Sequence, residues 1–125
     1  MIKEIILQGK ILHEARLRDI HRTIQRRGFP VTIQGHRALA VNIRGSGDIG
    51  EQVRNMGYDI AYCYVDNLQN GEITTFVTLY SKDIDVSKIA ARFGGGGHQG
   101  AAGFHFKREV SPFPSHLDAV IETDS

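Results

Sequence analysis

The sequence predicts an α+β domain, a mixed and mainly antiparallel sheet of about five strands with helices packed on it, preceded by a longer helix. Three observations carry that expectation. The opening segment repeats its apolar residues near helical spacing, the middle alternates in short stretches punctuated by Gly and Asn, and a short amphipathic helix runs into four consecutive glycines. The chain has 125 residues, 41% apolar and 23% charged, which suits one ordinary globular domain and argues against bulk disorder. A formal net charge of +1 argues against a strong general attraction to nucleic acid. The charge is uneven all the same, with eight Lys/Arg against three Asp/Glu over residues 1–37. Cys63 is the single cysteine, so no internal disulfide forms. A reducing, cytoplasmic setting is expected, with no signal peptide or membrane span.

Residues 2–27 read as the first helix, with Ile5, Leu12, Leu17, Ile20 and Ile24 as its apolar stripe. Lys10, Arg16, Arg18, Arg22, Arg26 and Arg27 line its other side, as a solvated face or, more sharply, a phosphate track. Gly28 and Pro30 end it. Residues 31–33 and 38–43 look like two strands joined at Gly35-His36. Ser46 or Asp48 caps a helix running to Met56, with Ile49, Val53 and Met56 on its buried face and Gly57 closing it. Residues 58–65 are apolar on both faces, as in a central strand, with Cys63 as a small buried hydrophobe. Asn70-Gly71 signals a two-residue hairpin, after which residues 72–80 alternate and pair antiparallel with the strand before. Asp85 caps a helix burying Val86, Ile89, Ala90 and Phe93. The last strand is expected at Phe104, His105 and Phe106, with His105 turned to the face opposite the two rings.

The stretch the chain is organised around is Phe93-Gly94-Gly95-Gly96-Gly97-His98-Gln99-Gly100-Ala101-Ala102-Gly103-Phe104. Each glycine loses more backbone freedom on folding than any other residue, so four together imply positive φ or a close approach. Such a run can curl its N–H groups into an anion-binding nest, with His98 as donor or cation at the rim. A Walker A loop is excluded because no Gly-Lys-Ser/Thr follows, and a dinucleotide fingerprint because no strand leads directly into the run.

These residues, with Asp85-Val86-Ser87-Lys88-Ile89-Ala90-Ala91-Arg92 before them, closely resemble the signature of the DHH-associated domain. That domain is the C-terminal partner of the Asp-His-His phosphoesterases, which include RecJ-like exonucleases, oligoribonucleases and exopolyphosphatase-like enzymes. The resemblance is tightest over residues 72–106. It implies that Gly94, Gly95, Gly96, Gly97 and His98 bind substrate phosphate. It also implies that an N-terminal DHH catalytic domain, a separate partner, holds Mn²⁺ or Mg²⁺ while this chain binds no cofactor. Relatives often carry arginine directly before the serine that ends the preceding strand. Here Tyr80 precedes Ser81, one neutral hydrogen bond in place of a bidentate cation. After His98, Gln99-Gly100 likewise stands where relatives often have a basic or polar pair. Division into a connecting helix over 1–29, a substrate-binding domain over 30–108 and a loosely held tail over 109–125 follows.

Other candidates weigh less. Tyr80, Ser81 and His105 are second-rank contacts. His13 and His21 read as solvated, His36 as a turn residue and His116 as part of the tail. No His-Glu-x-x-His or Asp-His-His cluster is present, so no metal site and no catalytic residue is assigned to this chain. The pairs Tyr62/Tyr64 and Phe104/Phe106 read as core rather than as base-stacking platforms. The expected function is substrate binding in a phosphoesterase acting on short oligonucleotides, polyphosphate or small phosphoesters. Two alternatives remain: a free-standing nucleic-acid or nucleotide-binding module, similar to the glycine-rich domain of alanyl-tRNA synthetases, and a dimerisation or regulatory element, with a homodimer as its form.

Overall fold

The computed structural model describes residues 2–109, with side chains described over residues 8–107. In chain order the elements are α1 (Ile2–Arg27), β1 (Phe29–Ile33), β2 (His36–Val41), α2 (Gly47–Asn55), β3 (Ile60–Gln69), β4 (Glu72–Tyr80), α3 (Val86–Arg92), β5 (Gly96–His98) and β6 (Ala101–Glu109). The strands form one six-stranded sheet in the order β1-β2-β3-β4-β6-β5. Only β2 and β3 pair in parallel, because α2 carries the chain back between them; the other neighbours are antiparallel. The strand beyond the five expected is β5, drawn from the glycine run itself.

The β1–β2 and β3–β4 hairpins each turn on two residues at positive φ, the mark of a type I′ turn. Asn70 and Gly71 stand at 52° and 80°, as their dipeptide implied. The other turn is Gln34-Gly35, at 50° and 80°, one residue earlier than the expected Gly35-His36. His36 is accordingly no turn residue: it opens β2 and pairs with Ile33. Pro30, which has no N–H to give a ladder, sits in β1 at the edge of the sheet.

The sheet buries apolar side chains on both faces, which is why β2 and the start of β3 read as unbroken apolar runs. On one face Ile33, Ala38, Ala40, Ile60, Tyr62, Val77, Leu79, Ala102 and Phe104 pack with Val86, Ile89 and Ala90 of α3. On the other, Leu39, Val41, Ala61 and Cys63 pack with Ile49 and Val53 of α2 and Ile20 and Ile24 of α1. Burial of this kind contributes about 1.5–3 kcal/mol for each fully enclosed Ile, Val or Leu.

Two expected core residues lie outside. Leu12 is 70% exposed and Met56 42% exposed. For α1 the cause is reach: its C-terminal half docks, with Gln52 Nε2 donating to the Leu17 carbonyl at 3.1 Å, whereas Ile11 and Leu12 have left the domain surface. Met56 is the C-cap of α2, beyond the turn that carries Val53 inward. Gly28 ends α1 by close approach, since a Cβ there would lie 2.5 Å from the Ile24 carbonyl oxygen and 3.0 Å from Leu39. The expected tail lies outside the described residues, except Glu109, which ends β6.

Candidate functional site on the open sheet face

Helix α3 delivers the chain to the glycine run, and both its ends are tied. Asp85 accepts from the Ser87 backbone N–H at 3.1 Å and from the Ser87 hydroxyl, and those bonds hold its carboxyl below the usual aspartate value. At the other end Gly94, at φ +82°, donates to the Ala91 carbonyl, and Gly95 donates to the Ala90 carbonyl at 2.9 Å. These two bonds make a Schellman cap. Two of the four N–H groups expected in an anion nest are therefore engaged by the helix. Gly96, Gly97 and His98 do not curl either; they extend as β5, paired with Gly103, Ala102 and Ala101. A continuous four-glycine nest is replaced by a cap and an edge strand.

Glycine is needed here for close passage. A Cβ on Gly95 would meet the Gly103 carbonyl oxygen at 2.1 Å, and one on Gly97 would lie 2.6 Å from Ala102 Cα. Around Gly96 the space is open. An edge strand turns alternate N–H groups away from its partner, so β5 presents backbone donors that no side chain obstructs.

The β5–β6 turn is pinned. Ser81 N–H donates to the Gly100 carbonyl at 3.1 Å and Val86 N–H to the Gln99 carbonyl at 3.0 Å. Ser81 is a support rather than a free contact: its hydroxyl donates to the Asp59 carbonyl at 2.6 Å and accepts from Ile84 N–H at 3.1 Å, and the residue is 3% exposed. Tyr80 is likewise built into packing. A Cβ on Gly45 or on Gly50 would come within 2.8 Å of its side chain, so both glycines exist to admit it. Partial burial, with Cys63 nearby, raises its phenol pKa.

Register decides which residues share a face, because cross-strand partners point the same way. His98 pairs with Ala101, Ala101 with Tyr80, Gly103 with Thr78, and His105 with Phe76. His98, Thr78, Phe76 and His105 thus stand on one face, the one that carries α1 and α2 further along. The small residues Ala101 and Gly103 keep its middle low. Here His98 is exposed, and so is His105. The Phe76 ring, 44% exposed, lies 5.6 Å from the His105 imidazole, with the planes 34° apart. Beside it opens a concavity of about 520 Å³, lined among others by Arg44, Asn67, Phe76 and Thr78.

Sequence reasoning singled out His98 and His105, which the structure places on this face, and gave no signal for Arg44, Asn67, Phe76 and Thr78 beside them. Alternation along residues 72–80 separates the two faces correctly; nothing in it tells that Phe76 stays outside the cluster packed under α1 and α2. The tyrosine and phenylalanine pairs read as core are mainly interior. Tyr62 is fully buried, Phe104 is 4% exposed and stacks on Phe93 at 5.0 Å, and Tyr64 and Phe106 are half-buried against the same core. Burial raises the Tyr62 and Tyr64 phenols and pushes the Cys63 thiol up to about 12. Among the described residues no three His, Cys, Asp or Glu side chains converge as a metal cluster, and no helix is long and apolar enough to cross a membrane. A second groove, between α1 and α2, takes in Arg18, His21 and Arg22.

No protein-family model matches the chain, and no curated protein does. Solved structures do. An uncharacterised protein from Helicobacter pylori G27 aligns at a TM-score of 0.47 and 19% identity, over 72% of this chain and 24% of that one. The pGpG-specific phosphodiesterase PggH from Vibrio cholerae aligns at 0.54 and 16% identity, over 85% of this chain and 40% of its own. This chain therefore corresponds to about two fifths of that enzyme's length. At such identity the likeness is one of fold: the chain shares the architecture of part of a phosphodiesterase.

Proposed function

We propose that this chain is a DHH-associated domain, the part of a phosphodiesterase that holds the phosphate of its substrate, with the catalytic centre on a separate domain. The observation that carries the proposal is the register of β5 on β6, which sets an exposed His98 beside side-chain-free backbone on the open sheet face. In this scheme the His98 ring N–H and the outward N–H groups of β5 donate to phosphate oxygens. A hydrogen bond to a charged group contributes about 1.5–3 kcal/mol. The Schellman cap and the pinned turn fix these donors beforehand, which lowers the ordering cost of capture.

The resemblance of residues 85–104 to the DHH-associated signature and the fold shared with a pGpG-specific phosphodiesterase support this reading. Under it, Mn²⁺ or Mg²⁺ belongs to the N-terminal catalytic partner, in a cytoplasmic enzyme. Exposure of Ile11 and Leu12 favours a contact role for α1, either with that partner domain or between two copies of the chain. Mass that rises with concentration would mark the second case. The test is titration of the chain with pGpG, wild type against His98→Ala. Because His98 is exposed, the variant folds normally, and loss of one charged hydrogen bond weakens binding about 10- to 150-fold. Unchanged affinity removes His98 from the site.

A further inference from the structure

We infer that the concavity beside Phe76 is a nucleobase pocket, which makes the ligand of this domain a nucleotide rather than a bare phosphate chain. The inference rests on the phosphate-binding reading of His98 and β5 and narrows it. Phe76 occupies the middle of β4, with Val65 across from it on β3 and His105 across from it on β6. An aromatic residue flanked on both sides inside a sheet is normally covered, yet this ring keeps 44% of its surface open. Phe76 is the aromatic ring that lines the concavity, and the neighbouring His105 imidazole, tilted 34° from it, contacts it from the β6 side.

The walls suit a base. The concavity, about 520 Å³, has the size of a small-ligand site. Cys63, Val65 and Ile43 give it an apolar side. Thr78 supplies a hydroxyl, and Asn67 an amide that both donates and accepts along a base edge. Arg44 brings a planar cation, able to stack on a base or to pair with a phosphate. A linear polyphosphate has no use for an aromatic ring or an amide; it needs a track of cations, and this pocket offers Arg44 alone among its lining residues. Stacking is also tolerant of base identity, since every base presents a π-face.

The pocket and the glycine edge belong to one surface. Along β6 the His98–Ala101 row and the Phe76–His105 row are separated by the Gly103–Thr78 row, where small side chains leave the path clear. Four residues of strand span about 13 Å. A ligand touching both ends is thus longer than a single phosphate group and carries its base away from the anion-holding edge.

The experiment titrates the 125-residue chain with two probes, pGpG and inorganic tripolyphosphate, using wild type, Phe76→Leu and His98→Ala. Leucine keeps an apolar side chain of similar reach, and circular dichroism checks that the sheet persists. Wild type is expected to bind pGpG more tightly than tripolyphosphate. Phe76→Leu is expected to weaken pGpG about 5- to 150-fold, the span measured for loss of one stacked base, and to leave tripolyphosphate unaltered. Equal affinity for the two probes with no effect of Phe76→Leu overturns the base pocket while the phosphate reading survives. A pGpG loss in Phe76→Leu with none in His98→Ala keeps the pocket and removes His98 from the phosphate site instead. Failure of wild type to bind either probe overturns both.

Discussion

Adding one methyl group at a time along the glycine run separates what the backbone requires from what a ligand requires. At Gly95 the new Cβ would lie 2.1 Å from the Gly103 carbonyl oxygen, 2.6 Å from Phe104 Cβ and 2.8 Å from Phe104 Cα. The nearest of these is backbone of β6 and cannot swing aside, so the exit of α3 would have to lift off the sheet. Overpacking costs about 1–3 kcal/mol, and a backbone clash places Gly95→Ala near the upper end. In a domain of this length about 3 kcal/mol lowers the melting temperature by roughly 10 °C. Gly97→Ala belongs with it, since φ is +148° and Ala102 Cα would be 2.6 Å away. Gly94→Ala meets open space at φ +82°, and only the left-handed conformation penalises it, by about 1 kcal/mol. Gly96→Ala meets neither obstacle and stays within about 0.5 kcal/mol of wild type. Thermal unfolding followed by circular dichroism reads the series. A large loss at Gly95 and Gly97, a small one at Gly94 and none at Gly96 is the expected order. Uniform, slight losses would mean a flexible connector and would refute the cap-and-strand geometry. If Gly96→Ala keeps full stability and still loses pGpG, the open space there is where the ligand approaches.

Three further outcomes are expected. Ser81→Ala leaves the Asp59 carbonyl and the Ile84 N–H without their partner, so chemical denaturation should show a loss of about 2 kcal/mol. Cys63, 1% exposed and with its thiol pushed up to about 12, should stay unreactive toward a thiol reagent at pH 8 until the protein is unfolded; rapid reaction of native protein contradicts its burial. The Asp85 carboxyl titrates below its ordinary value of 3.8, so its contribution is full above that value and is lost as pH falls through the lowered one. Stability measured against pH should therefore carry an acid slope that Asp85→Asn reduces.

Much of the fold was legible because local chemistry demanded it. Asn70-Gly71 needs two residues at positive φ, and few dipeptides supply them as readily. Asp85 read as a cap, and Ser46 or Asp48 as the other, because such short side chains accept from the first backbone N–H groups of a helix; the structure makes Ser46 the cap and puts Asp48 in the first turn. Gln34 gave no such signal, being an ordinary residue forced to positive φ by the hairpin. The glycine run was legible as a special backbone but not as a strand, since β5 has one side chain beyond hydrogen in three residues and no alternation to detect. His98 stood out from its context. The pocket around Phe76 and Arg44 was hidden, because it depends on how residues 43–45, leading into α2, lie beside β3 and β4, a tertiary fact that no single segment encodes. Around Tyr80 and Ser81, expected as second-rank contacts, the structure adds what the sequence did not show: Gly45 and Gly50 make room for the Tyr80 side chain, and Asp59 and Ile84 bond the Ser81 hydroxyl.

Amide chemical shifts recorded while pGpG is titrated into the ¹⁵N-labelled chain locate the ligand without presuming any residue. Shifts are expected at Gly96, Gly97, His98, Gly103, Thr78 and Phe76, all on one sheet face and its edge. Shifts confined to Arg18, His21 and Arg22 in the groove between the two helices, or none at all at saturating ligand, would contradict a phosphate site built from β5 and His98.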